Sequence, residues 1–181
     1  MNMQGKTFTM ELAGKTLTIE TGKYCEQAGG SAFVRMGDAV VMVNATVAKQ
    51  PRDGVDFLPL SIEFEEKMYS VGKIPGGYIK REGRPSEKAI LCSRLIDRPL
   101  RPLFPKGFYN DIQVIATVLS MDPDVQPEIL GMIGSSAALA MSEAPFAGPT
   151  GAVAVGMVDG KYIINPTLEE RHKSKLNLTV A

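Results

Sequence analysis

One short stretch, from Gly76 to Ser86, has the residue types and spacing best suited to a chemical role. Its glycines and Pro85 permit sharp backbone turns, so an aromatic ring and several cations can be held together on a projecting loop. The side chains concerned are, in order, those of Tyr78, Ile79, Lys80, Arg81 and Arg84. A ring stacks on nucleic-acid bases at ~1–3 kcal/mol per base, and cations pair with phosphates, so this loop suits a polyanion with stackable bases. A solvated surface turn is the alternative that the residues alone leave open.

Charge is unevenly distributed along the chain. Residues 73–106 contain nine Lys or Arg and three acidic residues, a balance of +6, whereas residues 107–160 contain no Lys or Arg and six acidic residues. The whole chain has 20 basic and 20 acidic residues and a formal net charge of zero. General attraction to nucleic acid or to an anionic membrane is therefore not expected, and binding of a polyanion must use the local basic region.

Three arginines extend this basic region beyond the loop. Arg94, Arg98 and Arg101 are spaced by four residues and then three, which places them on one face of a helix. They could contact phosphate, or they could pair with Asp97, Glu87 and neighbouring subunits. The residues alone favour the structural pairing.

The bulk composition predicts one compact domain spanning residues 1–181. The chain is 44% hydrophobic and 22% charged, enough for one buried core. It has no signal-peptide pattern and no apolar run of the ~20 residues that a membrane span needs, so we expect a cytoplasmic protein without membrane contact. The two cysteines, Cys25 and Cys92, have no metal-ligand spacing and are expected to be small buried apolar residues.

Hydrophobic periodicity predicts an α+β fold, a mixed β-sheet with helices packed against it. A helix is expected over residues 87–98, ending near Pro99, and a second over 127–142, where small residues permit close packing on the sheet. Pro59 favours an edge position or a bulge for the fifth strand. The predicted strands cover residues 6–12, 16–20, 31–36, 39–47, 57–64, 112–121, 153–158 and 161–164, and a last one includes residues 176–180.

The remaining candidate groups favour structural explanations. His172 has no nearby nucleophile or ligand cluster and is expected to be solvated. Short-spaced carboxylates such as Asp122 and Asp124 resemble metal ligands but are explained by turn chemistry. None of these groups is therefore predicted to be catalytic or to bind a metal.

Several long runs of the sequence resemble the first core domain of the bacterial polynucleotide phosphorylases. The runs are residues 76–108, 122–151 and 165–167, and the most specific are Arg81-Glu82-Gly83-Arg84-Pro85-Ser86-Glu87 and the segment from Leu95 to Pro105. The resemblance spans nearly the whole chain. It implies a ribonuclease PH-like fold, of which this chain would be the first core without its last strands completed.

The resemblance also implies a function. Members of the family degrade single-stranded RNA from 3′ to 5′ with inorganic phosphate as co-substrate and release nucleoside diphosphates. They form homotrimeric rings with a central channel, and a part in an RNA-degradation complex is possible. Their channel loop usually reads Phe-Phe-Arg-Arg, which corresponds here to Tyr78, Ile79, Lys80 and Arg81. With the resemblance, these four residues, Arg84 and Arg101 are the predicted RNA contacts.

A second family pattern indicates that this core does not catalyse. The active second core carries Asp-His, four further residues and then Asp-x-Lys, which supply metal-binding and acid groups. The matching positions here are Arg171, His172, Asn177 and Thr179. A divalent ion needs anionic oxygen there, so Mg²⁺ or Mn²⁺ is expected only in the second core of the parent protein.

Two other functions stay open at this point. The chain could be an RNA-binding or assembly module of an exosome-like ring with no active core attached. It could also have ribonuclease PH-like activity of its own, which the missing carboxylates make the weaker hypothesis.

Overall fold

The larger of two β-sheets forms the framework of the molecule. The structure is a computed structural model and describes residues 5–77 and 83–181. Six strands are arranged in the order β1-β2-β3-β4-β6-β5. They are β1 (Lys6–Leu12), β2 (Lys15–Thr21), β3 (Gly30–Met36), β4 (Ala39–Val47), β5 (Leu60–Glu66) and β6 (Ile112–Ser120). All neighbours are antiparallel except β5 and β6, which run parallel, so the sheet is mixed.

A smaller sheet and three helices complete the described fold. The second sheet has the order β8-β7-β9 and consists of β7 (Val153–Val158), β8 (Lys161–Ile164) and β9 (Asn177–Val180). The helices are α1 (Glu87–Leu100), α2 (Pro127–Met141) and α3 (Leu168–Lys173). Helix α2 packs on β3, β4 and β6, and α1 packs on β5, which confirms the predicted α+β fold of mixed sheet and helices. None of these three helices combines the length and apolar content that crossing a bilayer requires.

The hairpins agree with the predicted strand pairs because their turn chemistry is local. Ala13 and Gly14 both have positive φ, 53° and 75°, and Asp159 and Gly160 have 50° and 76°. Two successive positive φ values give the type I′ twist that matches two antiparallel strands. Each turn therefore sets the register of its hairpin.

The predicted bounds were wrong at β5 and α1. Strand β5 begins at Leu60, after Pro59, instead of at residue 57, although its predicted edge position is confirmed. Helix α1 does not end before Pro99 but continues through it to Leu100 and into a 3-10 turn, Arg101–Leu103. A proline this close to the helix end removes only one backbone hydrogen bond, so the helix accommodates it.

Helix α3 was missed in the sequence because six residues are too few for an apolar period. Its capping box is a local signal that could have indicated it. The Thr167 side chain accepts from the backbone N–H of Glu170, and the Glu170 carboxylate accepts from the backbone N–H of Thr167.

Small residues bring α2 close to the sheet, as the sequence predicted. Ser135 and Ala138 are fully buried. A Cβ added at Gly134 would lie 2.6 Å from Cγ2 of Val43 and 3.0 Å from Cγ2 of Val34, so no side chain fits between helix and sheet there. At Gly131 the corresponding contacts, with the side chains of Ile96 and Phe64, are longer, at 3.2 Å.

The prediction that both cysteines are buried is wrong for Cys25. Cys92 is buried, but Cys25 is exposed on the β2–β3 connection, where its sulfur lies 3.8 Å from Sδ of Met42. Burial, together with the charge of Glu128, raises the pKa of the Cys92 thiol to about 11, so this thiol is protonated at neutral pH. Cys92 therefore acts as a small apolar residue of the core.

The close packing of α2 predicts unequal effects of alanine at its two glycines. Gly134→Ala should lower the free energy of unfolding by about 1–3 kcal/mol, because the added methyl overpacks the contact with Val43 and Val34. Gly131→Ala receives the same helix-propensity gain of ~1 kcal/mol and meets its neighbours at the longer distance of 3.2 Å, so its net effect should stay within about 1 kcal/mol of zero. Urea unfolding of both variants measures the difference, and equal effects would contradict the packing argument.

Candidate nucleic-acid interface

The two ends of the glycine-rich loop are fixed to described elements. After β5 the chain makes a 3-10 turn, Met68–Val71, and the backbone N–H of Met121 donates to the Ser70 carbonyl at 3.1 Å. At the other end, Ser86 caps α1, its hydroxyl oxygen accepting from the backbone N–H of Ala89 at 3.1 Å. The loop thus leaves from the carboxyl end of β5 and returns at the amino end of α1.

The predicted loop contacts differ in what the structure describes. Tyr78, Ile79, Lys80 and Arg81 lie outside the described residues, so their contact with RNA stays a prediction. Arg84 is described, is exposed, and forms no ion pair within residues 5–77 and 83–181.

Adjacent glutamates at the end of β5 hold lysines on both sides of the loop. Glu65 pairs with Lys67 at 2.8 Å, and Glu66 pairs with Lys88, in the first turn of α1, also at 2.8 Å. Burial lowers the pKa of Lys88, but the hydrogen bond to Glu66 and the charges of Glu66 and Glu128 outweigh it, and the net pKa is raised. Lys88 therefore stays charged, and it serves to tie α1 to β5.

Arg101 is engaged in bonds within the protein. Its Nε and Nη2 donate to the two carboxylate oxygens of Asp97 at 2.8 and 2.7 Å, and its two Nη atoms also donate to the carbonyls of Leu58 and Leu60 at 3.0 and 3.1 Å. The hydrogen bond to Asp97 is the main cause that raises the pKa of Arg101. The structure thus shows the intramolecular pairing that the sequence left open, whereas RNA contact by Arg101 stays a prediction.

Arg94 and Arg98 line a surface groove beside Arg101, as their spacing predicted. The groove has a volume of about 470 Å³ and lies between α1 and the edge strand β5. Both side chains are exposed, and neither has an ion-pair partner in the part of the chain that the structure describes. The other wall, formed by Leu60, Ser61 and Ile62, was not anticipated because nothing local in the sequence brings β5 to α1.

The positions that match the family's catalytic pattern do not fit a divalent metal. Arg171 and His172 lie on α3, and Asn177 and Thr179 lie on β9, so no carboxylate occupies any of the four. The Arg171 guanidinium donates to the Pro123 carbonyl at 2.5 Å. Among residues 5–77 and 83–181, no three His, Cys, Asp or Glu side chains come together as metal ligands. His172 is exposed.

The paired aspartates after β6 serve the turn. Oδ1 of Asp122 accepts from the backbone N–H of Asp124 at 2.8 Å, and Oδ1 of Asp124 accepts from the backbone N–H of Leu168 at 2.9 Å. These bonds satisfy backbone donors, which agrees with the turn chemistry expected from the sequence.

Comparisons with known proteins identify similar sequences and folds. The family model described as 3′ exoribonuclease family, domain 1, matches residues 13–145, and the model of domain 2 matches residues 148–181. Polyribonucleotide nucleotidyltransferases of Heliobacterium modesticaldum and Clostridioides difficile are 63% and 62% identical over 176 residues, which is 97% of this chain and 25% of each relative. The chain therefore spans about a quarter of the length of these relatives.

A solved structure supports the fold. Rice Rrp46 aligns with a TM-score of 0.63 over 99% of this chain and 80% of its own, at 18% identity. The likeness of fold and the matched family models together confirm the predicted ribonuclease PH-like fold.

The bonds of Arg101 predict that it and Arg98 have separable effects on stability. Arg101→Ala should lower the free energy of unfolding by about 1–3 kcal/mol, because hydrogen bonds to charged groups contribute in that range and two carbonyls lose their donor. Arg98→Ala removes the same charge from the same helix face without losing a bond, so its effect should be within about 0.5 kcal/mol. Chemical denaturation measures both, and Arg101→Lys should fall between them because lysine lacks the forked donor geometry.

Proposed function

The chain belongs to the 3′ exoribonuclease family, and from this premise we propose that it is the first ribonuclease PH-like core of a phosphate-dependent exoribonuclease. In the parent protein, single-stranded RNA would be degraded from 3′ to 5′ to nucleoside diphosphates, with inorganic phosphate as co-substrate. The role of this core would be to guide RNA rather than to cleave it. Support for this function comes from the name shared by the relatives and from the basic loop and helix.

The observation that carries the guiding role is that exposed arginines without an ion pair among the described residues precede α1 and line the groove beside it. Arg84 precedes α1, and Arg94 and Arg98 follow on its outer face, all exposed and free of ion pairs within the described residues. We propose that Tyr78 stacks on a base while Lys80, Arg81 and Arg84 pair with phosphates, Ile79 contributing only apolar contact. RNA leaving this loop could continue past the groove of Arg94 and Arg98, with Arg101 at its far end.

This core would bind RNA without performing phosphorolysis. The residues at the matched catalytic positions present a guanidinium, an imidazole, an amide and a hydroxyl, which do not form a binding site for Mg²⁺ or Mn²⁺. We propose that the metal and the phosphate belong to a second core in the parent protein.

Assembly and location follow the same proposal. The parent would be a cytoplasmic homotrimer whose central channel receives the loop of each copy, without membrane contact, and it could take part in an RNA-degradation complex. A second copy of the loop on each neighbouring subunit would then face the same RNA strand. The absence of carboxylates at the matched positions is equally consistent with a ring subunit that has no active core attached. A second core with the Asp-His and Asp-x-Lys patterns, further along the parent sequence, would exclude that alternative.

A charge-matched pair of variants tests the guiding role. Lys80→Ala with Arg81→Ala in the full-length parent should weaken binding of single-stranded RNA and reduce the salt dependence of log K by roughly 0.7 for each lost phosphate contact. The control, Lys161→Ala with Lys175→Ala, removes two exposed cations from the region of the small sheet and should leave affinity and slope unchanged. RNA titrations at several salt concentrations measure both. The guiding role is wrong if the two pairs behave alike.

The proposed lack of catalysis has a direct assay. The purified 181-residue chain, given single-stranded RNA, inorganic phosphate and Mg²⁺ or Mn²⁺, should release no nucleoside diphosphate, because no carboxylate occupies the matched positions. The full-length parent serves as the positive control under the same conditions. Phosphate-dependent release by the fragment would instead assign the activity to this core.

A further inference from the structure

The two edges of the six-stranded sheet differ in how their backbone groups are covered. At β5, Arg101 donates to the Leu60 carbonyl at 3.1 Å, and the hydroxyl of Ser93 accepts from the backbone N–H of Phe64 at 3.0 Å. The side chains of Ser93 and Arg101 thus occupy hydrogen-bonding positions that an added strand would need. These two bonds obstruct the addition of a further strand along β5.

Strand β1, at the opposite edge, has no such cover among the described residues. It is seven residues long, pairs with β2 in continuous register, and contains no proline or bulge. Residues Lys6 to Glu11 are all exposed. Edge strands in natural proteins are normally protected by shortness, proline, bulges or charge, and the edges of the smaller sheet, β8 and β9, are only four residues long. An exposed edge strand of this length presents unpaired backbone N–H and C=O groups that can pair with another strand.

The turn of the first hairpin determines which backbone groups of β1 point outward. A two-residue type I′ turn makes Leu12 and Lys15 a hydrogen-bonded pair, and successive residues then alternate. The N–H and C=O groups of Thr7, Thr9 and Glu11 therefore point away from β2. Close side-chain contacts agree with this alternation, since the Thr16 hydroxyl donates to the Glu11 carboxylate at 2.6 Å across a non-hydrogen-bonded pair.

We propose that β1 pairs antiparallel with β1 of a second copy of this chain about a two-fold axis at Thr9. In that register Thr9 faces Thr9 of the second copy, and Thr7 faces Glu11, so that every outward-pointing N–H meets a carbonyl. The contact is isologous and uses up both free β1 edges, so association ends at the dimer.

The side chains of β1 are self-complementary in this register. Phe8 is 58% exposed and Met10 is 54% exposed, and each would face the other across the axis as a non-hydrogen-bonded pair. On the same face as Phe8 and Met10, Lys6 would lie opposite Leu12, and on the other face Thr7 would lie beside Glu11. No like charges are brought together, and the largest exposed apolar side chains of the hairpin are covered.

The expected contact is weak and independent of RNA binding. One strand pair buries less than the ~800 Å² per partner of a standard interface, so we expect a dissociation constant on the order of 10–100 µM. Helix α1 packs on β5, at the far edge of the sheet, so the dimer uses neither the loop nor the groove of Arg94 and Arg98. In a trimeric parent this two-fold contact would join two rings.

Sedimentation of the 181-residue chain tests the pairing. Thr9→Pro removes an outward N–H without breaking the β1–β2 ladder, because proline is tolerated on an edge strand where its nitrogen faces solvent. It should weaken dimerisation at least tenfold and leave the far-UV spectrum unchanged. Thr9→Val keeps the N–H and strand propensity and should dimerise like the parent chain. A chain that stays monomeric well above the expected constant, or a proline variant that dimerises normally, overturns the proposal.

Cross-linking tests the register in a Cys25→Ser background, which removes the exposed thiol. In the proposed dimer the two Thr9 Cα atoms are ~5.5 Å apart, within the range that a disulfide bridges. Thr9→Cys should therefore form a covalent dimer on mild oxidation. Glu11→Cys places its two sulfurs about 14 Å apart, four residues along the strand, and should not. Cross-linking of both variants to the same extent, or of Glu11→Cys alone, contradicts the axis at Thr9.

Discussion

The hydrogen bonds that join α1 to the edge of β5 determine where the cations of this domain lie. At the end of the helix, Arg101 donates to two backbone carbonyls near β5 and to Asp97. In the middle, the Ser93 hydroxyl accepts from the backbone N–H of Phe64, and at the start Lys88 pairs with Glu66. These contacts run along the whole helix. They fix its rotation, because a turn about the helix axis would break all of them together. The outer face with Arg94 and Arg98 is presented to solvent as a result.

The same contacts divide the basic residues into two groups with different uses. Lys88 and Arg101 form ion pairs with carboxylates and hold α1 against β5. Arg84, Arg94 and Arg98 have no carboxylate partner in the described residues. A folded domain normally pairs or disperses its charges, since like charges on one face repel each other. Arg94 and Arg98 line one groove four residues apart on the helix, so their mutual repulsion costs some stability. Their shared groove is the structural feature that supports the proposed contact with a polyanion.

Sequence reasoning succeeded where the determinants were local and failed where they were not. The two type I′ hairpins and α2 were predicted because turn residues and helical periodicity act over a few neighbours. Helix α3 was missed because its six residues hold one apolar side chain, Leu168, and no period. The second wall of the groove depends on Arg101 reaching carbonyls 41 and 43 residues earlier in the chain, and no pattern in the sequence encodes that approach. Loop chemistry was predicted from residue types, but only Arg84 of its cations lies among the described residues.

The proposed division of labour between binding and catalysis follows from the strength of a single loop. The stacking of one ring on one base contributes ~1–3 kcal/mol, which is too little for a single copy of this core to retain an RNA strand. Copies arranged around one channel would act on the same strand, and each contact after the first becomes intramolecular at a high effective concentration. Weak sites used in this way hold the strand while permitting each contact to be released and remade as the strand advances. In the proposed function, a core that neither binds metal nor cleaves RNA would supply such contacts through the cations of α1 and of the loop that precedes it.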